Sequence, residues 1–397
     1  MDDGPGTAPA SVGHVLPLAT VAVGALLAFR LGLLAGGLVA VDVVLALLGW
    51  WLASAAVAGG SLRSRSTDAW RRAWPPAIGA LVLAWAWVLV TDSTRYDTRV
   101  RGEALGLVAG SGNWQLLLVG PVERSASRGA SALQPLWLVA VAVQLALVLA
   151  LAWWATRPRA RRHPGTRDPL VVVALALAVA ALVVVAVQVV AGAGGQTMLL
   201  STWSRAAAFF LGAALGALRP GPWTSELRAV VLGTRWIAAA VLVVLAVLAA
   251  PDSEWWTSGG VLVLPLVAAI VVAAAVPWPP GRRSRAAPSD IDPWLVLVSV
   301  WFLHGPAFAL ARSLVADAPA VAAGVLGLLV LAVATLLVVL VSSRLTWTPE
   351  AVERRCVLVP PVAVLLIVLL FSATGAFHWS GPAPRSDVSV APSVPPR

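Results

Sequence analysis

The chain has 397 residues, 59% of them hydrophobic and only 12% charged, with a mean hydropathy of +0.88. A soluble domain carries about a quarter charged residues. These figures therefore exclude a soluble globular enzyme, and many apolar runs near the ~18 residues of a membrane span predict an all-α, polytopic membrane helix bundle. The net charge of +10 is entirely arginine, because lysine is absent. The arginines fall in short clusters between spans, where membrane topology accounts for them and nucleic-acid binding does not. A lone cysteine, Cys356, excludes an internal disulfide and a cysteine metal cluster. Four scattered histidines without HExxH spacing give no metal site.

In chain order, the leader 1–14, "MDDGPGTAPASVGH", is acidic rather than basic, so the first apolar run is expected to be a span and not a cleaved signal peptide. Eleven spans are expected near residues 15–34, 38–57, 76–91, 133–155, 170–191, 202–218, 236–250, 261–276, 294–315, 320–342 and 357–377. Alternate loops hold Arg63, Arg65, Arg71 and Arg72; Arg157 to Arg167; Arg219, Arg228 and Arg235; Arg282, Arg283 and Arg285; and Arg344, Arg354 and Arg355. These eighteen of the 28 arginines lie on one side, which the positive-inside rule makes cytoplasmic. The expectation is a multi-pass plasma-membrane protein with a cytoplasmic N-terminus, a transmembrane domain over 15–377 and an extracytoplasmic tail over 378–397. The tail, rich in Pro and Ser, is expected to be disordered. The longest loop, 92–132, and "PDSEWWTSGG" (251–260) fall outside. Most of the twenty tryptophans, among them Trp50, Trp51, Trp153, Trp154, Trp255 and Trp256, are expected in an interfacial belt.

Charged groups at membrane depth cost about 2.5–3.5 kcal/mol on insertion scales, so each needs a reason. Asp42 lies near the outer end of the second span, where it either pairs with an arginine or helix end or takes part in function. Arg30, Arg205 and Arg312 sit near outer span ends and are expected to snorkel or to pair. His304 is mid-span, as a hydrogen-bonded neutral imidazole or as part of a substrate path. In "QPLWLVAVAVQLALVLALAWW" (134–154), Gln134 and Gln144 must face protein, water or a ligand, because a lipid-facing carboxamide has no partner. Ten residues apart, they stand ~15 Å apart along a helix and need not share one site. No span carries paired acids suited to ion coupling, no Ser/His/Asp arrangement is legible, and no GxxxxGK[ST] loop occurs. The residues alone thus predict a bundle with a polar, concave outer half.

Seven local patterns, in order, resemble the acyltransferase-3 family of integral membrane proteins, which move acyl groups onto extracytoplasmic glycans and glycolipids. "AGGLVAVDVVLALLGWWLASAAV" (35–57) is similar to the family's "GGFVGVDVFFVLSGFLIT", sharing Gly36, Gly37, Val41, Asp42, Val43 and Gly49. "DAWRRAWPPAIGALVL" (68–83) resembles its basic turn, with Arg71 and Arg72 before Pro75 and Pro76. "SGNWQLLLVG" (111–120) resembles "SNWYF" at Asn113 and Trp114. "LQPLWLVAVAVQ" (133–144) is similar to "LQHFWSLSVEEQFYL" at Gln134, Trp137, Val141 and Gln144. "STWSRAAAFFLGAALGAL" (201–218) is similar to "STFTRAWELLLGALLA" at Thr202, Arg205, Ala206 and Gly212. "VSVWFLHGPAF" (298–308) resembles "YSLYLWHWPVL" at Ser299, His304 and Pro306. "VSSRLTWTP" (341–349) resembles "LSYRLVERP" at Ser342, Arg344, Leu345 and Pro349.

The resemblance spans roughly residues 15–350. It implies a helical membrane fold and acyl-CoA as a donor that visits without permanent binding. Phosphates of that donor would sit on Arg71 and Arg72. A substrate cavity would be bordered by Asn113, Trp114, Gln134, Trp137, Gln144 and Arg205. Membrane lipids, an envelope glycan or glycolipid and its biosynthetic enzymes are the implied partners. The eleventh span is similar to the subgroup that carries a C-terminal hydrolase-like domain, which is not expected in this chain.

The departures fall on the chemistry. In the first span, the family's arginine and its proposed catalytic histidine correspond to Pro17 and Ala28. In the fourth, its histidine and glutamate pair become Pro135, Ala142 and Val143. In the sixth its glutamate is Ala208, and in the tenth its Glu-Arg is Trp347-Thr348. General-base catalysis needs a titratable group within reach of the attacking hydroxyl. Three functions follow as expectations: an acyltransferase with His304 or Asp42 as its base, a catalytically impaired relative acting as a scaffold in envelope glycan assembly, or a transporter or lipid-binding protein.

Overall fold

In lipid, a backbone amide has no water to bond with, so apolar runs of bilayer length close their hydrogen bonds within helices. The computed structural model describes residues 15–57, 62–91, 94–119, 132–162, 169–218, 222–251, 253–276 and 292–344; of the expected elements, the span 357–377 and the two terminal segments lie outside these, and the side chains of Arg71 and Gln134 are not described. Each of the first ten expected spans falls on a helix: α1 (Leu16–Arg30), α2 (Ala40–Val57), α3 (Leu62–Thr91), α6 (Trp137–Arg162), α7 (Pro169–Val190), α9 (Thr202–Ala217), α10 (Pro222–Leu248), α11 (Gly260–Ala275), α12 (Pro293–Leu314) and α13 (Ala320–Arg344). Eight of the described helical segments are long and apolar enough to cross a membrane, while α1 and α11 are shorter. The protein is an all-α, multi-pass membrane bundle.

Two helices run well beyond their apolar runs. Helix α3 begins at Leu62 rather than at residue 76 and passes through Pro75 and Pro76, and α10 begins at Pro222 rather than at 236. Hydropathy marks the lipid-facing part of a helix, whereas the backbone ladder continues wherever neighbours or water serve its ends. Likewise, 92–132 contains two helices that hydropathy missed, α4 (Thr94–Val108) and α5 (Gly112–Val119), and a short α8 (Gly195–Leu200) precedes α9. Gly110, at φ 64°, closes α4: its N–H donates to Leu107 O at 3.2 Å, and the Ser111 N–H donates to Gly106 O at 2.8 Å. This left-handed closure, natural to glycine, turns the chain back into α5.

Helix α2 packs most extensively against α9. A Cβ on Gly212 would meet the Ala46 carbonyl, one on Gly216 the Trp50 carbonyl, and one on Gly49 the Phe209 carbonyl. Gly212 and Gly216 form a GxxxG step, the pattern that lets membrane helices touch backbone to backbone. Residue numbers rise together along this seam, so α2 and α9 are parallel. Helices α3 and α12 are parallel too, since Arg72 meets Asp292, a Cβ on Gly79 would touch Leu303, and the Trp87 indole donates to Ser313. Both pairings agree with the alternation expected from the arginine clusters: spans two and six begin at one end, spans three and nine at the other. The core falls into two main groups. One joins α1, α2, α6, α7, α9 and α11, and the other joins α3, α4, α12 and α13.

Replacing Gly212 or Gly216 by Leu should cost at least the 1–3 kcal/mol of an overpacked core, and thermal unfolding of the detergent-solubilised protein should show it. Gly24→Ala, where no atom lies within 4 Å of the added methyl, should leave the melting temperature unchanged or raised. Equal effects of the two substitutions would contradict the close α2–α9 contact.

Candidate functional site

Three assemblies hold the polar and open parts of the bundle. The first joins the N-terminal turns of α2 and α9. Asp42 and Arg205, both 0% exposed, form an ion pair from Asp42 Oδ2 to Arg205 Nη1. Arg205 Nε also donates to Leu199 O at 3.1 Å, and the guanidinium lies 5.5 Å from the centre of the Trp256 ring. Trp256 is itself 0% exposed and donates its indole N–H to Ala250 O at 2.9 Å. Arg205 therefore does not snorkel: it is paired, stacked and capped. Trp256 departs from the interfacial belt, as does Trp50, which is 5% exposed, whereas Trp154 at 71% fits it. A belt assignment rests on proximity to a span end, and it fails where a loop folds back over the bundle, as at Trp256, or where the residue lies in the packed core of its helix, as at Trp50.

The second assembly lies at the same end and centres on Gln144 of α6. Its Nε2 donates to Gly110 O at 2.7 Å and to Asn113 Oδ1 at 3.0 Å. Its Oε1 accepts from Thr202 Oγ1 at 2.6 Å and from Trp114 Nε1 at 3.2 Å. Asn113 in turn donates to Thr202 Oγ1 at 3.0 Å and to Leu200 O at 3.2 Å. The amides of Gln144 and Asn113 are thus spent on each other and on backbone, and they fix the α4–α5 hairpin to α6 and α9. Asn113, Trp114 and Gln144 come together in one hydrogen-bonded knot, with the Trp114 ring partly exposed. Trp137 borders a cavity of about 10 Å³ beside Glu103, about the volume one water occupies.

The third assembly is a cavity of about 460 Å³ between the two core groups, walled by α1, α2, α3, α6 and α12. Its lining is Val, Leu, Ala, Trp and Phe, with a single charged side chain, Arg72, and no carboxylate, histidine or hydroxyl among the described residues. Ala142 and Val143, which stand where the family's glutamates would be, are part of that wall. Arg72 lies towards the end opposite Asp42 and Arg205. Its Nε donates to Asp292 Oδ2 at 2.6 Å, while Asp292 Oδ1 caps α12 by accepting from Trp294 N at 3.0 Å.

His304 lies apart from all three. It is 4% exposed, its Nδ1 donates to the Trp301 carbonyl at 2.6 Å, and its ring meets Trp301 edge-on with centroids 6.3 Å apart. Trp301 and Phe302 line the cavity, and His304 does not. The structure thus joins Asp42 to Arg205, gathers Asn113, Trp114 and Gln144, and leaves His304 and Arg72 in separate surroundings. Among the described residues no group of three or more His, Cys, Asp or Glu is placed to hold a metal ion.

Two participants escaped sequence reasoning. Asp292 carries a legible signal, an Asp directly before Pro293 and an apolar run, which is the pattern of a helix N-cap. Trp256 carries none, because its role depends on a fold-back that no local pattern encodes.

The fold and these assemblies define a polytopic helical membrane protein with a closed polar end and an apolar central cavity. Compared with family models, with curated proteins and with solved structures, the chain matches none of them.

Removing one partner of a buried pair costs about 3–5 kcal/mol, while replacing both by apolar groups is often neutral. Asp42→Leu and Arg205→Met should each lower the melting temperature sharply, and the double variant should recover much of the loss. Single variants as stable as the parent would show the pair to be dispensable. Gln144→Leu breaks four hydrogen bonds at about 0.6 kcal/mol each in a membrane protein, so it should destabilise by about 2 kcal/mol and raise protease access to the α4–α5 hairpin.

Proposed function

We propose that this chain is an acyltransferase-3-like protein of the plasma membrane that has lost acyl transfer and holds the apolar chain of a lipid in its central cavity, as a non-catalytic component of cell-envelope glycan assembly. The observation that carries this reading is the cavity wall. A volume of about 460 Å³ falls within the range of ligand pockets, about 300–1,000 Å³, yet every described lining residue except Arg72 is apolar. Such a wall offers a hydrocarbon chain contact and offers a sugar nothing.

Transfer of an acyl group needs a base beside the attacking hydroxyl. Asp42 is paired with Arg205 and His304 is bonded to the Trp301 carbonyl, and neither lines the cavity. Ala142 and Val143 supply no proton acceptor. Under the positive-inside rule the Arg72 end faces the cytoplasm and the Gln144 knot faces outwards, with the N-terminus inside and the tail outside. Envelope glycan or glycolipid and its biosynthetic enzymes are then partners at the outer face, and acyl-CoA is not consumed.

The test is direct. Purified full-length protein incubated with radiolabelled acetyl-CoA and envelope glycan should transfer no label, and lipid should co-extract with it in near-equimolar amount. Transfer of label that falls when His304 is changed to Ala would overturn the reading in favour of an active enzyme.

A further inference from the structure

The cavity has a chemical polarity of its own. It runs from Ala69, Arg72 and Trp294 near the arginine-rich end to Leu138 and Val139 on α6, and Arg72 is its one charged contact among the described residues. The guanidinium is half-exposed, with 37% of its side chain accessible, and Asp292 engages it through Nε alone. Asp292 is at the same time the cap of α12, so its carboxylate stays at the mouth whether or not Arg72 bonds it. An arginine whose outward nitrogens make no bond among the described residues, at the mouth of an apolar chamber, matches an amphiphile with a hydrocarbon tail and an anionic head.

We propose that the cavity binds an anionic membrane phospholipid, with one acyl chain between α2, α6 and α12 and its phosphate on Arg72, in competition with Asp292. This rests on the chain-binding cavity proposed above and adds the identity of the headgroup and its competitor. Charge complementarity selects the source. The span order assigns eighteen arginines to the Arg72 side under the positive-inside rule, and basic residues beside a bilayer attract anionic lipid at about 1 kcal/mol each. A lipid enters such a site sideways from the leaflet, at a concentration no soluble anion matches. The phosphate takes the outward nitrogens of Arg72, and the Asp292 carboxylate held on Nε repels it from beside them, so Asp292 sets the affinity; the surrounding arginine clusters favour a net-negative head over a zwitterionic one.

The experiment is native mass spectrometry of the full chain, released from detergent after exchange into phosphatidylglycerol or phosphatidylcholine of identical chains. Retention of one phosphatidylglycerol is expected, weakened on the order of tenfold by Arg72→Gln, preserved by Arg72→Lys, and strengthened by Asp292→Asn. Asn caps a helix as well as Asp, so that last variant removes the charge and keeps α12. Equal retention of the two lipids, or retention indifferent to Arg72→Gln in protein that still elutes as a folded species, would overturn the headgroup assignment and leave chain binding standing. Filling the cavity with Ala142→Trp should abolish retention of both lipids; a parent protein that retains neither lipid would sink the chain-binding reading itself. Displacement of bound lipid by palmitoyl-CoA with label transferred onwards would overturn both.

Discussion

Backbone contact between α2 and α9 is the constraint on which the rest of the bundle depends. In lipid there is little hydrophobic gain from pressing two helices together, so association comes from close van der Waals contact and from polar groups that find partners. Gly49, Gly212 and Gly216 provide the first, and Asp42 with Arg205 provides the second. The charged pair also sets register. Two opposite charges at 0% exposure tolerate no slip along the seam, because a slip would strand each in hydrocarbon. With α2 and α9 fixed side by side and parallel, α7 and α11 pack on one flank, and Gln144 of α6 reaches the start of α9 through Thr202.

That arrangement explains why the cavity is apolar and where it lies. The polar groups with a claim on chemistry hold the end of the bundle: Asp42 pairs with Arg205 through one carboxylate oxygen, Gln144 has four partners, and Asn113 donates to Thr202 and the Leu200 carbonyl. The gap between the two core groups is left to side chains such as Leu45, Ala142, Val143 and Phe302. A glutamate at 142 or 143 would stand in that wall and need a partner or a proton. Alanine and valine remove that need and leave a space that favours hydrocarbon over water.

Much of this was legible in the sequence, for identifiable reasons. Apolar length and arginine spacing locate ten helices and their alternation, because both depend on the solvent the helices meet. Gln144 was legible as a residue in need of a partner, since an amide in a lipid-length helix must find a polar one, whereas Asn113 and Trp114 stood out only through the resemblance. Where the sequence misled, distance in the fold was the cause. The knot around Gln144 is closed because Gly110 turns α4 back onto α5, and Trp256 is buried because 251–260 folds over Arg205. The cavity had no local signature, since its wall draws single residues from five helices. The long starts of α3 and α10 were hidden because their first turns lack the hydropathy by which spans are found.

The most direct measurement of the central claim, an apolar chain-binding chamber separate from the buried polar groups, is a cryo-electron microscopy map of the protein in lipid nanodiscs. The account predicts elongated density between α2, α6 and α12, ending beside Arg72, with Asp42 and His304 packed by protein alone. A water-filled path that connects Asp42 or His304 to that chamber, with a polar ligand within reach of either, would contradict it.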